Sequence, residues 1–271
     1  MSSQTPPLIQ LKTDTSVRIG KLWVPAGQLG PALSRFTRLL FCLTRNDEHP
    51  YSLRGSATSL RWRGHHLAFY CKHQIEGFGR GDVVVPLDQD GKILISGSTF
   101  VEMIPSPQNK GEEFGDICAM HFRPEDYQHP NVDRAFFDLN EADNWRDDRD
   151  STFLIYGYPT NLRNLKLAEP SYALSNIHVT QIVTTGKYLR PSNAIGVHVI
   201  EMQRRTGNYS SDGLSGGPVF QLGEDAQGFY CGFAGIILRG SNTSNLLHFL
   251  EALVLMQFMR RLAPETHEAP R

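Results

Sequence analysis

Short apolar runs, separated by Gly, Asp and Pro at intervals of about ten residues, constrain the fold of this chain more than any other feature of its sequence. One series of runs begins after Arg35 and continues to Phe122, and a second occupies residues 151–240. Each run is shorter than a typical helix, and its apolar residues are continuous or alternate as in a strand. With 24 glycines and 16 prolines available for turns, the pattern predicts an all-β fold, either a sandwich or a barrel.

The two series of runs divide the chain into two β modules. We expect the first module to span residues 32–124 and the second to span residues 151–243. Residues 1–31 are punctuated by Pro, Gly and Ser, and they are expected to form an N-terminal extension over the surface. Residues 244–271 are expected to form a C-terminal helix and tail, because residues 244–262 are apolar on most faces of a helix, which would pack against a barrel.

Residues 125–150 differ from both modules. They carry nine acidic residues against three arginines, and they lack the periodicity of a strand. We therefore expect an acidic linker, with a short helix around Phe136–Trp145. A solvated connecting segment is the simplest interpretation of its charges.

The charge balance and the hydropathy pattern exclude several classes of partner. The formal net charge is -1, and neither Arg61–Arg63 nor Arg204–Arg205 forms a basic stripe, so we expect no nucleic-acid binding. No segment reaches the run of about 18 apolar residues that a membrane span requires, so no membrane insertion is expected. The N-terminal residues lack a basic stretch followed by an apolar one, so the sequence predicts a cytoplasmic location and no secretory signal.

The four cysteines, Cys42, Cys71, Cys118 and Cys231, are widely spaced. They form no C-x-x-C pair, and no histidines accompany them at the spacing of a zinc site. Three of the four lie in apolar, strand-like runs. We therefore expect buried free thiols in a reducing compartment, and neither a metal ion nor a cofactor.

The segment Asp212–Phe220, with the sequence D-G-L-S-G-G-P-V-F, is the strongest candidate for chemistry. Glycines near Ser215 allow a tight turn that presents its hydroxyl, and successive backbone N–H groups in such a turn can bind an oxyanion. A glycine-rich hairpin without chemistry is the alternative. The nucleophile elbow of α/β-hydrolases does not fit, because only 56 residues follow Ser215 and the catalytic partners in that fold come after the serine.

Partners for Ser215 are therefore sought upstream. His73 follows the strand-like run L-A-F-Y-C-K and precedes a loop with three glycines, a position that suits a general base facing a cleft. Asp116 opens the apolar run D-I-C-A-M, where a partly buried carboxylate needs a partner such as a histidine Nδ1–H. Taken alone, each has a simpler interpretation as an ordinary residue at a strand end.

Together these residues give the chain a resemblance to the trypsin/chymotrypsin-like serine peptidases over residues 30–262. Within that family it resembles bacterial intracellular peptidase domains that have no PDZ domain. The segments that carry the resemblance are Gly55–Leu60, Tyr70–Gln74, Asp116–Ala119, Gly157–Pro159, Asp212–Val219 and Gly235–Gly240.

The resemblance implies two six-stranded antiparallel β-barrels of the chymotrypsin type, with a cleft between them and a C-terminal helix. His73 and Asp116, 43 residues apart, would lie in the first barrel, and Ser215, 99 residues after Asp116, in the second. Ser215 would attack the scissile carbonyl, His73 would take and return its proton, and Asp116 would hold the histidine tautomer. The backbone N–H groups of Gly213 and Ser215 would bind the oxyanion.

The chain departs from the family pattern next to the proposed nucleophile and next to the proposed base. Leu214 stands where secreted trypsins have the Asp that pairs with a freed N-terminus, so activation by zymogen cleavage is not expected. Gln74 stands where the family has a cysteine, so the disulfide next to the base is not expected either. We hypothesise that a partner protein or a signal orders the turn at Asp212–Ser215 instead.

The resemblance also places a substrate-binding pocket, formed by Tyr209, Leu238, Arg239 and Gly240. No acidic residue stands at the expected base of this pocket, so a preference for Arg or Lys is not supported. We expect an apolar or small side chain before the scissile bond.

The sequence therefore predicts a serine endopeptidase that forms an acyl-enzyme, with a polypeptide as substrate and an activating protein as a further partner. The alternative is a catalytically silent double-barrel module that binds a peptide or a partner protein. An esterase or acyl transferase with the same triad is a third interpretation. All three triad residues are present, whereas a decayed enzyme usually lacks at least one.

Overall fold

The computed structural model describes residues 15–47, 49–87, 94–104, 115–123, 133–139, 145, 146, 148, 150–165, 177–203, 210–241 and 243–262. This part of the chain begins with a hairpin of β1 (Ser16–Ile19) and β2 (Leu22–Pro25), followed by a 3-10 turn (Ala26–Gln28) and the short helix α1 (Leu29–Ser34). β1 pairs in parallel with a strand of the second module, with Arg18 opposite Tyr230. The described part of the N-terminal extension therefore adds two strands to the sheet of the second module.

The first module is an antiparallel sheet that curls into a half-barrel. The strands are β3 (Thr37–Leu43), β4 (Tyr51–Trp62), β5 (His65–Cys71), β6 (Val83–Pro86), β7 (Leu94–Ile95), β8 (Thr99–Glu102) and β9 (Ile117–Phe122). They follow the order β7-β6-β3-β4-β5-β9-β8, and among the described residues β7 and β8 form the two edges. Apolar side chains on one face of the sheet, among them Leu40, Ala57, Tyr70 and Met120, fill its core.

The described part of the linker contains a 3-10 turn (Asp133–Ala135) and the short strand β10 (Phe137–Asp138), which pairs with β4. The prediction of a helix beginning around Phe136 is therefore wrong for these residues, and residues 140–144 lie outside the described part. Phe136 packs in the core of the first module, whereas Phe137 packs against Phe36 and Phe220 in a different cluster. Successive side chains that point to opposite sides require an extended backbone.

The second module closes into a six-stranded barrel. The strands of this part of the chain are β11 (Thr152–Gly157), β12 (Arg163–Leu165), β13 (Ile177–Val179), β14 (Ile182–Pro191), β15 (Val197–Met202), β16 (Pro218–Asp225), β17 (Gly228–Gly240) and β18 (Leu246–Glu251). The barrel strands follow the order β16-β11-β14-β15-β18-β17, and β17 pairs back with β16. A separate pair, β12 with β13, forms a small two-stranded sheet.

The C-terminal helix, α2 (Ala252–Leu262), begins later than the sequence indicates. The residues before it form β18, in which the buried Leu247 and Phe249 point into the barrel and alternate with more exposed residues. This alternation fits a strand, although the same apolar residues also fit the helical pattern. α2 then buries Leu255, Met256 and Met259 in a cluster that contains residues of both modules, so it packs against the barrels as expected.

The predicted all-β class with a C-terminal helix is confirmed. All four cysteines are free and buried, as their spacing indicates. Among the described residues, no helix has the length and apolar character needed to cross a membrane.

Candidate active site

Two neighbouring strands of the first module bring His73 and Asp116 together. β5 ends at Cys71 and leads into a 3-10 turn (Lys72–Ile75) that carries His73. Asp116 immediately precedes β9, and Cys71 is the register partner of Ile117. Because the strands are antiparallel, the end of β5 and the start of β9 lie at the same edge of the module.

The Asp116 carboxylate holds both the ring and the backbone of His73. Its Oδ2 lies 2.7 Å from His73 Nδ1, and its Oδ1 accepts a hydrogen bond of 2.9 Å from the His73 backbone N–H. The Asp116 carbonyl also accepts a hydrogen bond of 2.5 Å from the Lys72 N–H. A carboxylate at Nδ1 favours the tautomer with a proton on that nitrogen, which leaves Nε2 as the basic atom of the ring.

Ser215 lies in a tight turn before β16. Within this turn Leu214 N–H donates to the Ser211 carbonyl at 3.1 Å, and Gly217 N–H donates to the Leu214 carbonyl at 2.9 Å. The Leu214 side chain is fully buried in the core of the second barrel. The turn is therefore anchored by an apolar side chain in the barrel core.

Gly213 adopts a backbone conformation that requires glycine. Its φ is +91°, and a Cβ atom there would lie 2.4 Å from the Tyr158 carbonyl oxygen. The Thr160 N–H holds the Asp212 carbonyl at 3.0 Å. Since C=O and N–H of one trans peptide point in opposite directions, this bond directs the Gly213 N–H away from Thr160.

The backbone N–H groups of Gly213 and Ser215 donate to no protein acceptor in the part of the chain that the structure describes. Both residues line a cavity of about 350 Å³. Two unpaired N–H donors in one turn beside a serine hydroxyl are the arrangement that stabilises an oxyanion.

The same cavity brings His73 and Ser215 to one site between the two modules. Ser215 is 8% exposed, and its side chain has no hydrogen-bond partner among the described residues. His73 Nε2 has no partner there either. In unliganded active sites the hydrogen bond between the general base and the nucleophile is often long and shortens when substrate binds. The positions of Ser215 and His73 in one cavity therefore allow proton transfer from Ser215 to His73.

The predicted substrate-binding residues are only partly brought to this cavity. Arg239 and Gly240 line it, whereas Leu238 is 2% exposed and packs in the cluster between the modules. Tyr209 lies outside the described residues. The cavity is also lined by residues that the sequence did not point to as parts of the site, among them Leu53, Arg54, Gln74, Thr160 and Ser211.

Strand β4 supplies contacts to the serine turn that sequence reasoning also missed. Ser56 Oγ donates to the Gly213 carbonyl at 2.6 Å and accepts a hydrogen bond of 2.8 Å from the Tyr158 N–H. Thr58 Oγ1 donates to the Gly216 carbonyl at 2.6 Å. The run that contains Ser56 and Thr58 carries part of the family resemblance, but small polar residues in a strand do not reveal a contact more than 150 positions away.

Cys71, His73 and Asp116 place three potential metal ligands within 4.8 Å of one another. The Cys71 thiol is fully buried, and burial, together with the nearby Asp116 carboxylate, raises its pKa well above the ordinary value. The Cys71 thiol donates to the Ile237 carbonyl at 3.5 Å, and both carboxylate oxygens of Asp116 are hydrogen-bonded to His73. The cluster fits a histidine–carboxylate pair better, and the absence of a metal stays a prediction.

No protein-family model matches the chain, and no curated protein matches it either. Among solved structures, it is similar to a mutant of human heparin binding protein (CAP37), with 11% identity over 89% of this chain and 96% of that chain, at a TM-score of 0.55. It also matches a thermostable serine protease, AL20, from an extremophilic microorganism, with 15% identity over 82% of this chain and 93% of that one, at a TM-score of 0.47. The first likeness shows the fold, which is chymotrypsin-like as the sequence predicts.

Proposed function

We propose that the chain is a serine endopeptidase that acts through His73, Asp116 and Ser215. The observation that carries the proposal is a single cavity where an Asp-bonded histidine, a serine in a tight turn and two unpaired backbone N–H groups occur together. Each of these groups has a separate task in acyl transfer. A hairpin turn without chemistry needs neither the Asp-bonded histidine nor the two unpaired N–H groups.

In the proposed reaction, Ser215 Oγ bonds to the scissile carbonyl carbon while its proton moves to His73 Nε2. The Gly213 and Ser215 N–H groups stabilise the negative charge on the carbonyl oxygen, and Asp116 stabilises the imidazolium. The C–N bond then breaks as His73 donates its proton to the leaving amine, which leaves an acyl-enzyme. Water, deprotonated by His73, hydrolyses the ester and restores Ser215.

The preference for a small or apolar side chain before the scissile bond remains part of the proposal. Arg54 and Arg239 line the cavity together with one acidic residue, Asp212, so an acidic pocket for Arg or Lys has no support among the described residues. A cytoplasmic location and kinship with bacterial intracellular members of the family rest on the sequence alone.

Control by a partner or a signal, and not by zymogen cleavage, is also proposed. The buried Leu214 supports the proposal that zymogen cleavage does not activate the chain, because an apolar side chain in the barrel core offers no charge to a freed N-terminus. The partner itself is inferred from the same position, because Leu214 leaves the turn at Asp212–Ser215 without the charge pair that secreted trypsins form there. Full activity of the purified chain on casein would contradict the need for a partner.

A silent binding module is the second candidate, because the printed name of one structural neighbour states binding and not cleavage. The solved structure with the TM-score of 0.55 belongs to a protein named for binding heparin. Heparin is a polyanion, and a chain with a formal net charge of -1 and no basic stripe is poorly suited to such a ligand. A peptide or protein partner would fit this candidate better.

The decisive experiment measures hydrolysis of casein and of a small activated ester by the purified chain, with Ser215→Ala and His73→Ala as controls. A peptidase cleaves both substrates, with full activity on casein only when cell lysate supplies the proposed partner, and both variants lose the activity. Cleavage of the ester alone would indicate an esterase. Activity that survives in Ser215→Ala would contradict the proposal, and inactivity with and without cell lysate would favour the binding module.

A further inference from the structure

Gln74, the residue after His73, has an environment unlike that of its neighbour. The imidazole of His73 is half exposed, whereas Gln74 is 5% exposed. A buried side-chain amide loses its bonds to water and must be paired within the protein. Its partners therefore show what the buried amide holds in place.

The Gln74 amide is paired at both ends. Its Oε1 accepts a hydrogen bond of 2.7 Å from the Cys71 N–H, at the end of β5. Its Nε2 donates to the Ser215 carbonyl at 2.9 Å and to the Ser56 carbonyl at 3.1 Å, and the Arg54 carbonyl lies at 3.4 Å. An amide nitrogen has two protons, so the two shorter bonds satisfy it.

These bonds join three segments that are far apart in the sequence. Cys71 precedes the turn that carries His73, Ser56 lies in β4, and Ser215 lies in the second module. The backbone of Gln74 is held as well, because Arg54 Nε donates to its carbonyl at 2.5 Å. One side chain thus connects the backbone beside the proposed base to the backbone of the proposed nucleophile.

We propose that Gln74 is a positioning residue, which fixes the distance and direction between Ser215 and His73 across the interface of the two modules. This inference rests on the proposed function, since it assigns Gln74 a part in that reaction. A fixed Ser215 carbonyl restricts the backbone from which Oγ projects, and the same residue is bonded to the backbone that carries the imidazole. A displacement of about 1 Å between reacting groups costs about 100-fold in rate.

A merely structural role for Gln74 is the competing explanation, and the chain offers a matched control. Gln221 in β16 is fully buried, its Oε1 accepts a bond of 2.7 Å from the Arg146 N–H, and its Nε2 donates to the Arg146 carbonyl at 2.8 Å. Gln221 does not line the cavity. Substitution of either glutamine by Glu keeps the length and the acceptor and removes the donor.

The experiment compares Gln74→Glu with Gln221→Glu. The rate of labelling by a fluorophosphonate is measured per folded molecule, together with kcat and KM on an activated ester. We expect both variants to be destabilised in urea. Only Gln74→Glu should lose labelling rate and kcat, by about tenfold to 100-fold, while KM changes by less than about threefold.

Gln74→Met, which removes both polar atoms at nearly constant length, replaces Gln74→Glu if the latter does not fold. Wild-type labelling and kcat in Gln74→Glu, or equal losses in both Glu variants, would overturn the positioning role. Provided that the wild type labels and Ser215→Ala does not, either of these two results refutes only the positioning role of Gln74 and leaves the proposed function intact.

If the wild type does not label either with or without cell lysate, the proposed function fails, and amide hydrogen exchange tests the connection made by Gln74 separately. In the serine turn, the Gly216 N–H donates to the Ile237 carbonyl of β17, and the Gly217 N–H donates to the Leu214 carbonyl. They should exchange faster in Gln74→Glu than in Gln221→Glu. Equal exchange would overturn the connection.

Discussion

Substitution of Gly213 by Ala tests the geometry of the serine turn. The residue has a φ of +91°, and an added Cβ would meet the Tyr158 carbonyl oxygen at 2.4 Å and the Thr160 backbone nitrogen at 2.9 Å. Both contacts are with backbone atoms, so no side chain can rotate away to relieve them. The peptide between Asp212 and Gly213 has to shift, and its N–H shifts with it.

The expected loss in the free energy of unfolding of Gly213→Ala has two parts, backbone strain and steric overlap, and a control variant separates them. Gly64, in the hairpin between β4 and β5, has a φ of +81°, and a Cβ there would meet nothing within 4 Å. Gly64→Ala should therefore cost only the backbone strain, about 1–2 kcal/mol. Gly213→Ala adds the steric overlap, about 1–3 kcal/mol, for a total of about 2–5 kcal/mol.

Urea unfolding, followed by tryptophan fluorescence, measures the two free energies of unfolding, and fluorophosphonate labelling measures the reactivity of Ser215. Loss of one oxyanion donor should lower the kcat of Gly213→Ala by about 10²–10³, while Gly64→Ala keeps the wild-type value. Equal destabilisation of the two variants would refute the described packing of Gly213. Wild-type kcat in a folded Gly213→Ala protein would refute its role as an oxyanion donor.

Three further predictions follow from buried or paired groups. Asp116→Asn should lower kcat by a factor of about 10⁴ with little change in KM, because no carboxylate then sets the tautomer of His73. Steady-state kinetics that give a kcat within about tenfold of the wild type would contradict this. Leu214→Asp should lower the free energy of unfolding by about 3–5 kcal/mol, since the new carboxylate lies unpaired in a barrel core. Urea unfolding measures this loss, and an unchanged free energy of unfolding would mean that the carboxylate has a charge partner. Burial raises the pKa of Cys42 and of Cys118 from 9.0 to about 11, so the folded state retains these protons longer than the unfolded state. The contribution of these two thiols to stability should therefore be constant below pH 9 and fall between pH 9 and 11. Cys118→Ala should make the fall in the urea midpoint over this pH range smaller than in the wild type, and an equal fall in this variant would argue against the assignment.

The sequence predicted most of the fold because strands and turns leave a local signature. Runs of apolar residues between glycines and prolines indicate strands whatever lies across the sheet. The errors occurred where a local pattern allowed two structures. Leu246–Glu251 satisfied a helical pattern and formed a strand, because its pairing with β15 and β17 closes the barrel.

Long-range contacts explain what the sequence could not predict about the candidate site. His73 and Asp116 could be paired from the resemblance, and the structure brings them to 2.7 Å. Leu238 was expected at the substrate pocket, but its side chain lies in the core between the modules. The bonds of Gln74 to Ser56 and Ser215 depend on how the two modules meet, which no local pattern encodes.

The most direct test of the central claim is the reaction of the purified chain with a fluorophosphonate probe, read by intact mass. An activated serine predicts one adduct on the wild type and none on Ser215→Ala or His73→Ala. An adduct that persists in Ser215→Ala would contradict the assignment of the nucleophile. The absence of any adduct, with and without cell lysate, would contradict the claim that this cavity is an active site.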